Sequence, residues 1–286
     1  MTEGWDEGAW DAFAAELAAW QAAGRVATFW WRDDDAGRPH PAFDRLLALA
    51  AKTEAPLALA VVPDWLTHEV AAAIRAAPRQ LGVLQHGFTH ANHETAPPPG
   101  GGKLRPAECG AARPPGLVLA EAAAGWEGLR AAVGDRALPV FVPPWNRIAP
   151  AVLAGLPRLG YRALSAFGPR GAVEAAPDLG RLHCHVDPVL WREGQRFAGC
   201  ALTLERLRGH LADRREGRAD PGEATGLLTH HRDMTPAFWE FLEAWLARVR
   251  HHPAATLPPV PTLVETALSS PWGGAAHAPP PGPPTG

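Results

Sequence analysis

The feature that most constrains this fold is a regular alternation of short apolar segments with longer amphipathic ones. Segments rich in branched or aromatic residues predict buried strands, namely VATFWW, PLALAVVP, LGVLQ, LPVFVPP, YRALS, RLHCHVD and TGLLTHH. Apolar residues at helical spacing predict one helix before the first strand, at 5–23. Further helices are predicted between and after the strands, at 41–52, 65–77, 117–133, 149–159, 202–215 and 236–249. The chain therefore repeats a strand–helix unit about seven times.

This alternation is typical of a parallel sheet whose strands are joined by helical crossovers. No glycine-rich phosphate loop follows the first predicted strand, which argues against a dinucleotide-binding fold. The units extend over some 250 of the 286 residues. That length favours a closed α/β barrel over an open, doubly wound sheet.

The chain divides into three predicted parts. Residues 1–24 form an N-terminal amphipathic helix, and residues 25–268 form the barrel. Residues 269–286 are rich in proline and glycine and are predicted to be a disordered tail. Residues 95–116 lack any periodicity, and a long loop of this kind inside a compact domain is often functional, such as a lid over a site.

Charge and composition exclude several classes of partner. The 27 lysines and arginines are offset by 30 acids and form no basic block, so a nucleic acid partner is not expected. The longest apolar stretch, residues 56–63, is too short to span a membrane. The acidic N-terminus does not resemble a signal peptide, and the three cysteines are scattered. We therefore expect a cytoplasmic protein with reduced thiols.

Polar residues gather where the predicted strands end. Successive strands run into RDDD, HGFTH, PPWNR, HVD and THH. Active sites of α/β barrels lie at the carboxyl ends of the strands, so these residues are predicted to face one site. The period of two along HCHVD places His183, His185 and Asp187 on one face, either a polar layer near the barrel mouth or an exposed edge.

Two of these groups together indicate a metal site. His86 and His90 are four residues apart and can face one centre if the chain turns helically after the strand. Imidazole is a good ligand for zinc and similar cations, and two histidines need a further ligand. The candidates are Asp33, Asp34 and Asp35, because a cation would relieve the repulsion between adjacent carboxylates.

The set RDDDAG, HGFTH, VPPWN, HVDPVLW and LLTHH, in this order, resembles the polysaccharide deacetylase (NodB-homology) family of carbohydrate esterases. The resemblance covers residues 27–250 and is most specific at HGFTH. It implies a single-domain, distorted (β/α)7 TIM-like barrel. It also implies a metal-dependent hydrolase that removes acetyl groups from sugars.

The resemblance implies roles for the aspartates and the paired histidines. Asp35, His86 and His90 match the metal ligands, and Asp34 matches the general base. Asp33 is an extra acid, so the register of the three aspartates stays open by one residue. The implied cofactor is one divalent cation, with zinc as the first choice and cobalt, nickel or manganese as alternatives.

The later motifs carry the proton donor and its support. His230 matches the histidine that acts as general acid, with His231 as the alternative. Asp187 and Trp191 match the fourth motif, and Asp187 is expected to hold the imidazole of His230 in the required tautomer.

The third motif departs from the family at one position. Trp145 matches one wall of the groove, where an aromatic ring suits a sugar face. The family arginine that orients the base is replaced here by Val142, and Arg32 or Arg147 is expected to substitute for it.

The expected activity is removal of an acetyl group, first of all de-N-acetylation, from an acetylated sugar or oligosaccharide. Since no export signal is expected, a soluble or lipid-linked sugar intermediate is a better candidate than a mature wall polymer. Two alternatives remain open: hydrolysis of a non-sugar C–N bond by the same centre, and a carbohydrate-binding relative without turnover.

Overall fold

The computed structural model describes residues 5–97, 103–169 and 178–270. Among them the strands are β1 (Ala27–Ala36), β2 (Leu57–Val61), β3 (Leu81–His86), β4 (Ala137–Val142), β5 (Ala163–Leu164), β6 (Gly180–Arg181), β7 (Val189–Leu190), β8 (Arg196–Phe197), β9 (Thr225–Thr229) and β10 (Ala255–Thr256). The helices are α1 (Glu7–Ala22), α2 (Pro41–Thr53), α3 (His68–Ala76), α4 (Pro115–Val133), α5 (Pro150–Leu153), α6 (Cys200–Arg215), α7 (Pro236–His251) and α8 (Val260–Ser269).

Seven parallel strands form a curled half-barrel in the order β9-β1-β2-β3-β4-β5-β6. β10 pairs with the first residues of β1, below β9. A single bridge between Val186 and Leu227 links the segment after β6 to β9. The predicted distorted (β/α)7 barrel is therefore confirmed, and the carboxyl ends of its strands lie at one rim.

The first strand is longer than its sequence predicts. We expected β1 to end at Arg32, but it continues through the three aspartates to Ala36. Asp33 is paired on both sides, with Thr229 of β9 and Leu59 of β2. Aspartate is a poor strand former on its own, but pairing with two neighbours overrides that preference. The register toward β2 shifts between Asp33 and Ala36, which marks a β-bulge at the two acids between them.

Several predicted boundaries were wrong. The predicted helix at 65–77 begins only at His68, after a one-turn helix at Pro63–Trp65, because Thr67 caps it by accepting from the Val70 N–H. The predicted helix at 149–159 breaks after Leu153. The predicted strand RLHCHVD is regular only at β6, and beyond it isolated bridges replace the ladder.

The main core lies between the sheet and the helices around it. α1 packs on α6, with Trp10, Phe13, Leu17 and Trp20 all buried. The ring of Phe13 is 6.2 Å from the ring of Phe29 on β1, so the N-terminal helix contacts the sheet itself. Burial of this apolar stripe on a helix is the kind of contact that supplies most folding free energy.

Two other predictions concern residues outside this description. The predicted tail lies beyond the described residues from position 271 onward, and residues 98–102 of the predicted lid are also outside them. Within the described ranges, no helix combines the length and the hydropathy required to cross a bilayer.

We predict that α1 contributes to the stability of the barrel. Leu17→Ala removes a side chain that is 2% exposed and should lower the free energy of unfolding by about 2–5 kcal/mol. Leu117→Ala, at a helical position that is 49% exposed, is the matched control and should change it by less than about 0.5 kcal/mol. Urea unfolding measures both, and equal losses would contradict the packing described here.

Candidate active site

Three side chains from two strand ends meet at the rim. Asp35 comes from the end of β1, His86 is the last residue of β3, and His90 follows in the next loop. One carboxylate oxygen of Asp35, Oδ1, lies 3.2 Å from Nε2 of His86 and 3.2 Å from Nε2 of His90. The three ligand atoms all lie within 4.8 Å of one another, which is a spacing that suits one metal cation. The structure thus brings together the three residues predicted as ligands.

The loop that carries His90 is not the helical turn expected from the spacing. Gly87 and His90 have φ of 55° and 58°, so the chain folds tightly through left-handed conformations. The buried carboxylate of Glu108 accepts the backbone N–H groups of Phe88, Thr89 and His90 at 2.9, 2.9 and 3.0 Å. A Cβ on Gly87 would lie 2.2 Å from Glu108 Oε2, so this contact requires a glycine.

Glu108 therefore supports the loop of the candidate site, and the sequence analysis missed it. It lies within the long loop 95–116, where no periodicity identified it. A single acid in a loop gives no signal of its own, because its partners are backbone groups of a different segment.

Hydrogen bonding prepares His86 to bind a metal. Its Nδ1 lies 3.0 Å from the carbonyl oxygen of Val142, which can only accept, so Nδ1 carries the proton. The other ring nitrogen, Nε2, then presents a lone pair toward Asp35 Oδ1. A lone pair facing a carboxylate oxygen at this distance requires positive charge between them, either a proton or a metal cation. The donor set therefore fits a divalent cation.

The titration behaviour agrees with this requirement. Burial raises the pKa of Asp35, but His86 and His90 outweigh it and hold that pKa well below its usual range. Burial lowers the pKa of His86, but Asp34 and Asp35 together raise it above the ordinary value. The site thus favours a carboxylate surrounded by positive charge.

Asp34 is held by an arginine of its own strand. Arg32 forms an ion pair with Asp34: its Nε lies 2.8 Å from Oδ1, and a terminal nitrogen donates a hydrogen bond to Oδ2 at 2.9 Å. The guanidinium is fully buried and also bonds Ser165 Oγ at 2.6 Å and Asn146 Oδ1 at 2.9 Å. Arg147 bonds the Pro106 carbonyl instead, at 2.6 Å. Of the two arginines considered, only Arg32 contacts the predicted base.

Asp33 points to a different partner from the other two aspartates. Its Oδ1 lies 2.5 Å from His231 Nδ1, and its Oδ2 accepts from the Thr229 hydroxyl at 2.6 Å. Both members of the Asp33–His231 pair are buried. Burial lowers the pKa of His231, but Asp33 raises it above the ordinary value overall. The pair ties the end of β9 to β1, and Asp33 occupies Nδ1 of His231.

His230 lies beside the fourth-motif residues. The ring of Trp191 meets its ring edge-on, with 4.7 Å between the centroids. Asp187 does not hold His230 directly as expected, because its Oδ2 accepts from Trp191 Nε1 at 2.7 Å and its Oδ1 accepts from the Val189 N–H at 2.9 Å. Burial raises the pKa of Asp187, and His230 nearby opposes that rise. Asp187 therefore contacts Trp191, which in turn packs on His230.

Aromatic rings form walls on either side of His90. The ring centroids of Trp65 and Trp145 lie 5.4 and 4.5 Å from that of His90. Trp191, near His230, is 40% exposed. Trp145 and Trp191, which the sequence analysis predicted as groove residues, thus lie beside His90 and His230. Trp65 also contacts His90, and the sequence analysis did not predict it.

The expected polar face of HCHVD does not form. His183 Nδ1 accepts from the Ala166 N–H, and His185 Nδ1 accepts from the Gly226 N–H, both at 3.0 Å. Isolated bridges replace the ladder after β6, and each ring is held by the backbone of a neighbouring segment.

His185, His210 and Glu223 form a second group whose composition resembles a metal site. Because the Gly226 N–H occupies Nδ1 of His185, the proton of that ring lies on Nε2. This Nε2 lies 3.1 Å from Glu223 Oε1. Burial and His185 lower the pKa of His210 to about 2, so its ring is neutral. Nε2 of His185 therefore carries a proton where a cation would need a lone pair, in contrast to Nε2 of His86.

Comparisons with known proteins identify the fold. No protein-family model matches the chain, and no curated protein matches it. A Mycobacterium smegmatis protein named a polysaccharide deacetylase has a similar structure, with a TM-score of 0.59 and 17% identity over 85% of this chain and 91% of that one.

Two further solved structures are also similar. T48 deacetylase, solved with substrate, has a TM-score of 0.50 and 16% identity, over 84% of this chain and 92% of that chain. A CE4 family pseudoenzyme from Bacillus anthracis has a TM-score of 0.50 and 13% identity, over 80% and 63% of the two chains. The chain therefore has the fold of the polysaccharide deacetylases and family 4 carbohydrate esterases.

Proposed function

We propose that this protein is a metal-dependent hydrolase that removes an acetyl group from an acetylated sugar, with de-N-acetylation as the first candidate. The observation that carries the proposal is the orientation of His86. Its Nδ1 is bound to the Val142 carbonyl, so its Nε2 faces Asp35 beside His90, while the adjacent Asp34 is held by Arg32. A cation site next to an oriented carboxylate is what hydrolysis of an amide requires.

Asp35, His86 and His90 would hold the cation, and zinc is the first choice for this mixture of nitrogen and oxygen ligands. When bound, such a cation acidifies water and polarises a carbonyl group. The walls of Trp65 and Trp145 would seat the sugar so that its acetyl group reaches this point.

Asp34 would act as the general base. It would take a proton from the attacking water at one carboxylate oxygen, while Arg32 fixes the direction of both oxygens. Arg32 is itself fixed by Ser165 and Asn146, so the base is aligned before substrate arrives.

His230 would act as the general acid. Cleavage of the C–N bond leaves an amine nitrogen, which departs readily only when it receives a proton. His230 Nδ1 is buried and has no hydrogen-bond partner among the described residues, and the ring is placed by Trp191. Water then supplies the oxygen of acetate, and the amine retains the proton from His230.

A second candidate function is carbohydrate binding without turnover. The similar Bacillus anthracis structure is described as a pseudoenzyme, so a carbohydrate-binding protein without turnover is the second candidate. Asp34 and His230 favour catalysis, because binding alone requires neither a base nor an acid. Cys109, Cys184 and Cys200 are free and buried, which supports the proposed cytoplasmic location.

We predict that acetate release from an acetylated chito-oligosaccharide depends on the cation. A chelator should abolish it, and added zinc should restore it. Asp35→Asn should lose bound metal, measured by elemental analysis of the purified protein. Asp34→Asn is the matched control: it should keep the metal while kcat falls by about 10²–10⁴-fold, the usual contribution of a general base. Retained metal without turnover in the unmutated protein, over a broad substrate panel, would favour the binding alternative.

Arg32→Lys should lower kcat by about 10²-fold, because lysine cannot hold both oxygens of Asp34 at once. Bound metal should stay unchanged. Arg79→Lys, on the exposed segment before β3, is the control and should leave kcat unchanged. Unaltered activity of the Arg32→Lys variant would show that Asp34 is not aligned by this contact.

Glu108→Gln should weaken metal binding by about 10–100-fold, since the three backbone N–H groups that set His90 lose their charged acceptor. Titration with zinc measures this change. Glu127→Gln, at an exposed position on α4, serves as the control. An unchanged affinity in the Glu108 variant would mean that the loop holds His90 without it.

A further inference from the structure

Three arginines lie in the segments that carry Trp145, Trp191 and Glu108 of the proposed site. Arg147 follows Trp145 and Asn146 in one wall, and Arg192 follows Trp191 in another. Arg105 precedes Pro106, whose carbonyl accepts from Arg147 at 2.6 Å. Arg105 and Arg192 are exposed and Arg147 is half-buried.

Their positions relate directly to the proposed chemistry. Trp145 packs at 4.5 Å from the ring of His90, a proposed metal ligand. Trp191 packs at 4.7 Å from the ring of His230, the proposed acid. Arg147 and Arg192 are therefore adjacent to the two walls between which a substrate would lie.

The three charges have no counter-charge of their own. Within residues 5–97, 103–169 and 178–270, none of them forms an ion pair, whereas Arg113 pairs with Glu121 and Arg162 with Glu265. Partial burial, Arg105 and Arg192 lower the pKa of Arg147, and no carboxylate opposes them. In a chain of net charge −3, such a group of like charges is an unusual local feature.

We propose that the sugar substrate carries an anionic group, a phosphate or a carboxylate, which Arg147 and Arg192 bind with the help of Arg105. This inference rests on the proposed function for the place of the acetyl group. A guanidinium presents several N–H donors in one plane, which match the oxygens of either anion. An uncharged sugar polymer would leave these three charges unused.

A structural role is the competing explanation for Arg147 alone. Its bond to the Pro106 carbonyl fixes the loop that contains Glu108, so its substitution can also disturb His90. No such bond is present for Arg192 in the described part of the chain, so Arg192 provides the independent test.

The experiment measures binding, so that it does not depend on turnover. The Asp34→Asn protein, loaded with zinc, is titrated calorimetrically with N-acetylglucosamine, N-acetylglucosamine 1-phosphate and N-acetylmuramic acid. We expect one or both charged sugars to bind about 10–100-fold more tightly than the neutral one, as charge-assisted hydrogen bonds provide. Which of them binds tightly distinguishes phosphate from carboxylate. The preference should weaken as salt is raised.

Arg192→Gln should weaken this preference and leave binding of the neutral sugar unchanged. Arg147→Gln with Arg192→Gln should remove the preference. Arg79→Gln with Arg158→Gln is the matched double control, because both residues are exposed and precede β3 and β5 at the opposite ends of the strands. Equal affinity for all three sugars would overturn the inference, as would a preference that survives in the Arg147 and Arg192 double variant. Failure of acetate release by the unmutated protein, with the preference intact, would instead contradict the proposed function alone.

Discussion

The site depends on how β1 is held between its two neighbours. β9 and β2 pair with this strand up to the first of its three aspartates, and a bulge follows at once. Each aspartate then has a different cationic or imidazole partner: Asp33 contacts His231, Asp34 contacts Arg32, and Asp35 contacts the two histidines of the proposed metal site. Three adjacent carboxylates are thus tolerated because no two of them share a partner.

The position of one proton distinguishes the Asp35 group, the proposed metal site, from the Glu223 group of similar composition. His86 and His185 each face a carboxylate through Nε2, at 3.2 and 3.1 Å. In His86 the proton is on Nδ1 and is donated to the Val142 carbonyl, so Nε2 carries the lone pair. In His185 a backbone N–H donates to Nδ1, so the proton is on Nε2, which faces the carboxylate. Both clusters contain two histidines and one acid, so composition does not distinguish them. The backbone partner of each histidine ring decides whether that ring can bind a cation.

The sequence predicted those parts of the site that follow from strand ends. The strand ends predicted that His86, His90 and one of the three aspartates would meet at one rim, and the family resemblance singled out Asp35. The sequence did not predict that Arg32, rather than Arg147, contacts Asp34, because this contact requires β1 to continue as a strand past Arg32. Glu108 and the true directions of His183 and His185 were also hidden, since their partners are backbone groups brought close only by tertiary folding.

The left-handed conformation of Asp35 restricts which residue types can occupy this position. Its φ of 67° suits glycine, asparagine and aspartate, and a longer acid would add strain. Of those three, only aspartate carries the negative charge that the proposed ligand role needs. Backbone geometry and coordination chemistry thus select the same residue independently, and glutamate, the usual conservative replacement, satisfies only one of the two demands.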